Sequence, residues 1–336
     1  MTQKPRISAL AALVCAALLA APAVAQATVD SHGVDPRPDT AKLAAELRGL
    51  VRQSHGEIRL AEIGRTNENR PVWAARVGHG KLRVQYVTQQ HGDEPLGTPA
   101  ALEFLRLAGT HDGAWQRWLR SRVTVDIVVR ANPDGHEHDW RYNYDPTAAP
   151  EYGEPGKGYD INRYHNPGLA PELNPATEAG LIQRRYAAFK PEIVVDYHMQ
   201  GRYADASGRE ITASTLWPTA AGVTPSNVDF AKQITVVAQR SIEATGGNVS
   251  QYPGGDYEGI ARNAYGLRGS GSVLIELSDT GADQSQIRAA LASMVAIAQT
   301  AADGSLRRID PAAADTIPPR GPAIPAAARV AEPALD

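Results

Sequence analysis

Leu82, Val84, Tyr86 and Thr88 alternate along the chain and run straight into His91, a period-two pattern that predicts a strand. Val123, Val125, Ile127 and Val129 repeat the pattern and lead into Asn132-Pro-Asp-Gly135. Two shorter apolar runs read as buried strands. Ile193 to Tyr197 ends at His198, and Val273 to Leu277 contains Glu276. Helical periods lie between them. Leu43, Leu47, Leu50 and Val51 form one stripe. Thr98 as N-cap with Pro99 in the first turn opens a helix through Leu107. Asn174-Pro175 opens another, which must stop before Pro191. Val228 to Ala244 is halted by Gly246-Gly247, and a last helix runs from Asp283 to about Ala301. The alternation predicts one α/β domain, residues 40–302, with a largely buried sheet. Each candidate functional residue falls at or near a strand end, where open α/β sheets place their sites.

The two ends break this pattern. Lys4 and Arg6 precede an apolar run from Ile7 to Ala21, followed by Ala23-Val24-Ala25. This is expected to be a secretory signal peptide, residues 1–25, because the run falls short of the roughly 20 residues that span a bilayer. The sole cysteine, Cys15, sits inside it, so the mature chain has neither disulfide nor thiolate chemistry. Export to the periplasm or the exterior of a bacterium follows. Residues 26–39 read as a polar linker with two prolines. Residues 303–336, rich in Pro and Ala, read as a disordered tail. The net charge of −3 with interspersed signs gives no footprint for nucleic acid or a membrane surface.

His91, Glu94, His198 and Glu276 change the picture most. Two histidines and a carboxylate leave one position open on a tetrahedral zinc, the arrangement of catalytic rather than structural sites. A further glutamate nearby can take a proton from water. Individually the signals are weak: His91 and Glu94 also read as a solvated loop, and His198 as an ordinary hydrogen-bonded histidine. Glu276 is stronger, since a carboxylate within Val-Leu-Ile-Glu-Leu needs a partner if buried.

Taken with Gly64-Arg-Thr-Asn-Glu-Asn-Arg-Pro-Val, Asn132-Pro-Asp-Gly135, Trp140-Arg141 and Asp160-Ile-Asn162-Arg163, these pieces resemble the zinc carboxypeptidase family of the carboxypeptidase A and B type. The resemblance spans nearly the whole domain in the family's order. It implies an α/β fold with a mixed, mostly eight-stranded sheet flanked by helices. It implies a zinc exopeptidase that removes the C-terminal residue of a peptide with a free carboxylate. His91, Glu94 and His198 then stand as ligands of one Zn2+ per chain, and Asp160 as the carboxylate that orients His91. Glu276 stands as general base and Arg141 as the group that polarises the scissile carbonyl. Asn162 and Arg163 stand as the clamp for the terminal carboxylate, and Tyr252 as the tyrosine that covers the substrate, with Tyr257 and Tyr265 as rivals. Asp256 and Glu258, after Gly254-Gly255, read either as acids of a pocket for terminal Lys or Arg or as surface acids. His136 and His138 read as loop residues, His165 as a residue that lines the cleft or not, and Trp115 and Trp118 as core.

Two other functions compete. One is an amidase or deacylase on the same zinc site, acting on peptidoglycan stem peptides or N-acyl amino acids. The other is a non-catalytic zinc- or peptide-binding domain, which would typically lack the base or a ligand; here both are present.

Overall fold

The computed structural model describes residues 34–325. The expected signal peptide lies outside the described residues. Eight strands form one mixed sheet: β1 (Ile58–Arg65), β2 (Pro71–Val77), β3 (Leu82–Thr88), β4 (Val123–Val129), β5 (Ile193–Gln200), β6 (Ala213–Leu216), β7 (Val249–Gln251) and β8 (Gly271–Ser278). Their spatial order is β1-β2-β4-β3-β5-β8-β6-β7. The four central strands β4, β3, β5 and β8 are parallel to one another; β1 and β2 add antiparallel pairs on one side, and β6 is antiparallel to β8. The fold class expected above is the one observed. The period-two alternation marks which residues share a face, but both faces are covered and every residue of β4 is buried.

One face packs against helices α1 (Thr40–Gln53), α2 (Gly97–Gly109), α3 (Ala114–Arg122), α5 (Pro225–Glu243) and α7 (Asp283–Ala302). The Leu43, Leu47 and Leu50 stripe lies fully in this core. Tyr86 of β3 meets Phe104 and Tyr197 edge-on, at 5.7 and 5.9 Å between centroids. Its hydroxyl donates to the Met294 carbonyl at 2.7 Å, so a large buried ring keeps its polar end satisfied. The other face packs against α4 (Thr177–Phe189) and α6 (Ala261–Leu267) through Val87, Val128, Val194, Ile182 and Tyr265. Among the described residues no helix is long and apolar enough to cross a membrane.

Three local expectations are corrected. Thr98 does not cap α2; the helix starts at Gly97 and the Thr98 hydroxyl donates to Gln89 instead. Residues 34–39 of the expected linker are docked: the Pro38 carbonyl accepts from Arg130 and the Val34 carbonyl from Gln284. The expected disordered tail is ordered over residues 303–325. Sparse apolar residues are buried: Leu306 and Ala314 enter the first core, and Ile317 is covered as well. Residues 318–320 then pair with β7 at the sheet edge, where Gln251 N–H donates to Pro318 and Arg320 N–H to Gln251. An open edge carries unpaired backbone groups, and this segment satisfies them. Leu306, 1% exposed, should therefore matter. Leu306→Ala is expected to lose about 2–5 kcal/mol in urea unfolding, as for other buried leucines, whereas a loose tail would give no change.

Candidate active site

The chain leaves β3 through Gln89, whose positive φ of 57° turns it sharply outward at the end of the strand. Gln89 is fully buried, and it anchors the next loop by donating to the Gly92 carbonyl at 2.8 Å while accepting from Arg130 Nε at 2.9 Å. This fixes His91 and Glu94. Asn132 supports the same loop from the end of β4: its Oδ1 accepts the Gly135 N–H and its Nδ2 donates to the Tyr142 carbonyl, which carries Arg141 alongside. Any side chain at Gly92 would collide with the Gly135 backbone, so these two motif glycines permit a close approach of loops. Asp134 accepts from the Thr66 hydroxyl at 2.7 Å, from Glu68 N–H and from Arg70. The Gly64–Arg70 motif is thus a brace for the site loop rather than part of its chemistry.

His91, Glu94 and His198 come together, all buried, with one donor atom from each within 4.8 Å of the others. The two imidazole Nδ1 atoms lie 3.0 Å apart. Glu94 Oε1 is 2.8 Å from one and Oε2 is 2.9 Å from the other. On the far side of each ring, His91 Nε2 meets Asp160 Oδ1 at 3.1 Å and His198 Nε2 meets Asp196 Oδ2 at 2.8 Å. A carboxylate on Nε2 holds the proton there and turns the Nδ1 lone pair inward. Burial alone favours neutral rings, yet Glu94 and the outer carboxylates raise both above the usual histidine range. The cluster thus lacks positive charge at its centre, which is what a divalent cation supplies in place of protons. Two nitrogens and a carboxylate suit zinc.

Asp196 was not legible as a site residue, being read as part of an apolar strand. The signal was its spacing: positions two apart on a strand share a face, so Asp196 and His198 point the same way. Gln90 donates to Asp196 at 2.6 Å and accepts from His165 Nε2 at 2.7 Å, and His165 Nδ1 meets the Tyr265 hydroxyl at 2.9 Å. His165 is wholly buried behind the site, where burial lowers it to about 3, and does not line the cleft.

Parallel pairing sets Glu276 of β8 directly beside His198 of β5. Glu276 is 7% exposed and opens into a cleft of about 560 Å³. Burial, aided by Glu94 and opposed by the histidines, pushes its carboxyl up to about 7. Arg141 lines the cleft and donates from Nε and Nη2 to Asp160 Oδ2 at 3.1 and 3.0 Å, so Asp160 bridges His91 and Arg141. Asn162 and Arg163 also line the cleft; Asn162 Oδ1 accepts from Ala261 N–H, and Arg163 Nη1 donates to the Asn162 carbonyl. Tyr252 lines it too. Its rivals do not: Tyr265 is stacked on Tyr186 in the core, and Tyr257 leans on Tyr152. The tail contributes Arg320, which lies over the Tyr252 and Tyr203 rings and donates to Gln200 at 2.9 Å. Asp256 and Glu258 are exposed and lie outside the cleft lining, so the surface reading of both holds. His138 stacks on Tyr144 away from the cluster.

The model of the zinc carboxypeptidase family matches residues 43–290. A stretch of 105 residues is 30% identical to human carboxypeptidase D; it covers 28% of this chain and only 8% of that protein. Among solved structures, carboxypeptidase A from Helicoverpa armigera superposes with a TM-score of 0.61 at 16% identity, covering 80% of this chain and 74% of that one. A metallo-carboxypeptidase from Burkholderia cenocepacia gives 0.57 at 18%, covering 77% and 69%. One from Pseudomonas aeruginosa, in complex with (2-guanidinoethylmercapto)succinic acid, gives 0.55 at 16%, covering 76% and 68%. At such identities the superpositions speak for the fold. The family match runs from α1 into α7 and encloses every residue of the cluster, and on it the chain belongs to the zinc carboxypeptidase family.

Proposed function

We propose that the protein is a zinc metallocarboxypeptidase that hydrolyses the last peptide bond of substrates with a free C-terminal carboxylate. The observation that carries this reading is the placement of Glu276: a buried carboxyl beside the His91, Glu94 and His198 cluster, open to a cleft that also holds Arg141, Asn162 and Arg163. The chemistry supplied by zinc held on those three side chains is Lewis acidity toward the scissile carbonyl and toward water. Glu276 takes the proton of the attacking water as the new C–O bond forms. It returns that proton to the nitrogen of the leaving residue as the C–N bond breaks. Burial raises the Glu276 carboxyl, which favours its taking up the proton before passing it on. Arg141, held by Asp160, donates to the carbonyl oxygen as negative charge develops there. Arg163 and Asn162 hold the terminal carboxylate, a role that suits a planar guanidinium. Tyr252, also in the cleft lining, covers the bound residue, with Arg320 stacked on its ring.

The test is release of the terminal residue from peptides, read by mass, with free and amidated C-termini compared on the same sequence. Amidation should lower kcat/KM by roughly tenfold or more, and Arg163→Ala should abolish that difference, because the lost interaction is a charge-assisted bidentate one. Equal cleavage of free and amidated peptides by the wild-type protein would instead identify a general amidase on the same site.

A further inference from the structure

The cleft holds more cationic side chains than the proposed chemistry uses. Arg141 is paired with Asp160 and Glu94, and Arg163 is assigned to the terminal carboxylate. Arg262 remains. It projects from α6 into the same cleft and is 2% exposed, among the largest fully buried side chains of the described residues. Its Nε donates to the Trp217 carbonyl at 3.3 Å, and its Nη2 to the Thr219 hydroxyl at 3.2 Å and to the Gly255 carbonyl. Its Nη1 makes no hydrogen bond with the described residues, and no carboxylate among them forms an ion pair with it. Burial accordingly lowers it to about 10, with Arg163 opposing it as well.

These neutral partners fix the guanidinium in place but give it no direct carboxylate partner, an expensive arrangement for a buried cation. Two apolar side chains, Ile260 and Leu274, line the same cleft. Gly254 packs against the Arg262 head group, and a Cβ there would collide with Nη2 and with Leu216. The glycine therefore leaves the guanidinium room in its present position. The acids of the cleft are committed elsewhere or exposed: Glu94 to the metal cluster, Glu276 to the proton, and Asp93 and Asp279 to solvent.

We propose that Arg262 forms a second anion subsite in the cleft, which receives the side-chain carboxylate of a terminal Glu or Asp. The inference rests on the carboxypeptidase reading above and deepens it: one guanidinium, Arg163, takes the α-carboxylate, and a second takes the side chain. A terminal Lys or Arg would bring a like charge to a buried cation, and Asp256 and Glu258 are exposed and outside the cleft lining.

The experiment compares N-acylated peptides identical except for a terminal Glu, Gln, Leu or Lys, using zinc-loaded protein at equal substrate concentrations. Glu is expected to exceed Gln by about tenfold or more in kcat/KM, since a site built around a polar group rejects the analogue that leaves it unpaired, with Lys the poorest of the four. Arg262→Gln should bring the Glu-to-Gln ratio close to one, and Arg262→Lys should retain part of it. Arg262 also bonds the Gly255 and Trp217 carbonyls, so a poorly folded variant is a foreseeable result. The wild-type comparison does not depend on it. Calorimetric titration of Glu276→Gln protein with the Glu and Gln peptides gives a second reading free of turnover. Tighter binding of the Glu peptide supports the subsite; equal affinities overturn it. Preferential release of Leu or Lys from free C-termini would also overturn the subsite and leave the carboxypeptidase reading intact. Failure to release any terminal residue, with the Glu peptide still bound more tightly, would overturn the carboxypeptidase reading and leave the subsite.

Discussion

Glu276→Gln is expected to bind zinc as the wild-type protein does and to lose about 10²–10⁴-fold in kcat, the range that a positioned general base contributes. Gln has nearly the shape of Glu but cannot accept a proton at neutral pH. Its amide fits the same position on β8 beside His198, and the three candidate ligands are untouched. KM should change little, because the terminal carboxylate is held by other residues in this reading. Removing a charge that is costly to bury should also leave the fold as stable as before or more so. The decisive measurement pairs metal analysis with turnover on one peptide. Full zinc occupancy with near-normal kcat would move the base elsewhere in the cleft.

Much of this site was legible because its chemistry is written in short motifs at strand ends. His91, Glu94, His198 and Glu276 were identified from residue type and from the period of the strands that carry them. The structure brings all four to one end of the central parallel strands. Asp160 and Arg141 were assigned by resemblance, and the geometry gives them a shared physical link, one carboxylate holding a ring on one oxygen and a guanidinium on the other. What was hidden falls into two kinds. Asp196, Gln90 and His165 form a buried polar chain behind His198, and residues of that kind interrupt an apolar pattern without announcing why. The second kind is composition misread as disorder. The Pro/Ala-rich stretch has too little apolar surface to fold alone, yet the main sheet already offers it an edge and a groove. Leu306 and Ile317 need only dock, and Arg320 reaches the cleft by that route. Arg262 shows a related limit: a lone arginine in Ile-Ala-Arg-Asn-Ala carries no motif that marks it, and only the fold buries it.

Removing one ligand should have the larger effect on the metal. His91→Ala is expected to retain far less than one equivalent of zinc after dialysis and to lose measurable turnover, as should the wild-type protein treated with phenanthroline. Adding zinc back should restore the chelated wild-type protein alone. The physical reason is that His91 and His198 supply the only two nitrogens of the cluster, and the remaining His198 and Glu94 make an incomplete set for a tetrahedral ion. A graded control separates ligand from orienting roles. Asp196→Asn leaves all three donors but exchanges the carboxylate behind His198 for a weaker acceptor, so zinc affinity should fall by about 10–100-fold without being abolished. His138→Ala, stacked on Tyr144 outside the cluster, should hold zinc as the wild-type protein does. A thermal-shift titration reads all of these without reference to activity, because a ligand that binds only the folded state raises Tm in proportion to RT ln(1 + [Zn]/Kd). Wild-type stabilisation by zinc that survives in His91→Ala would place the metal elsewhere in the molecule and end the reading of this cluster as its site.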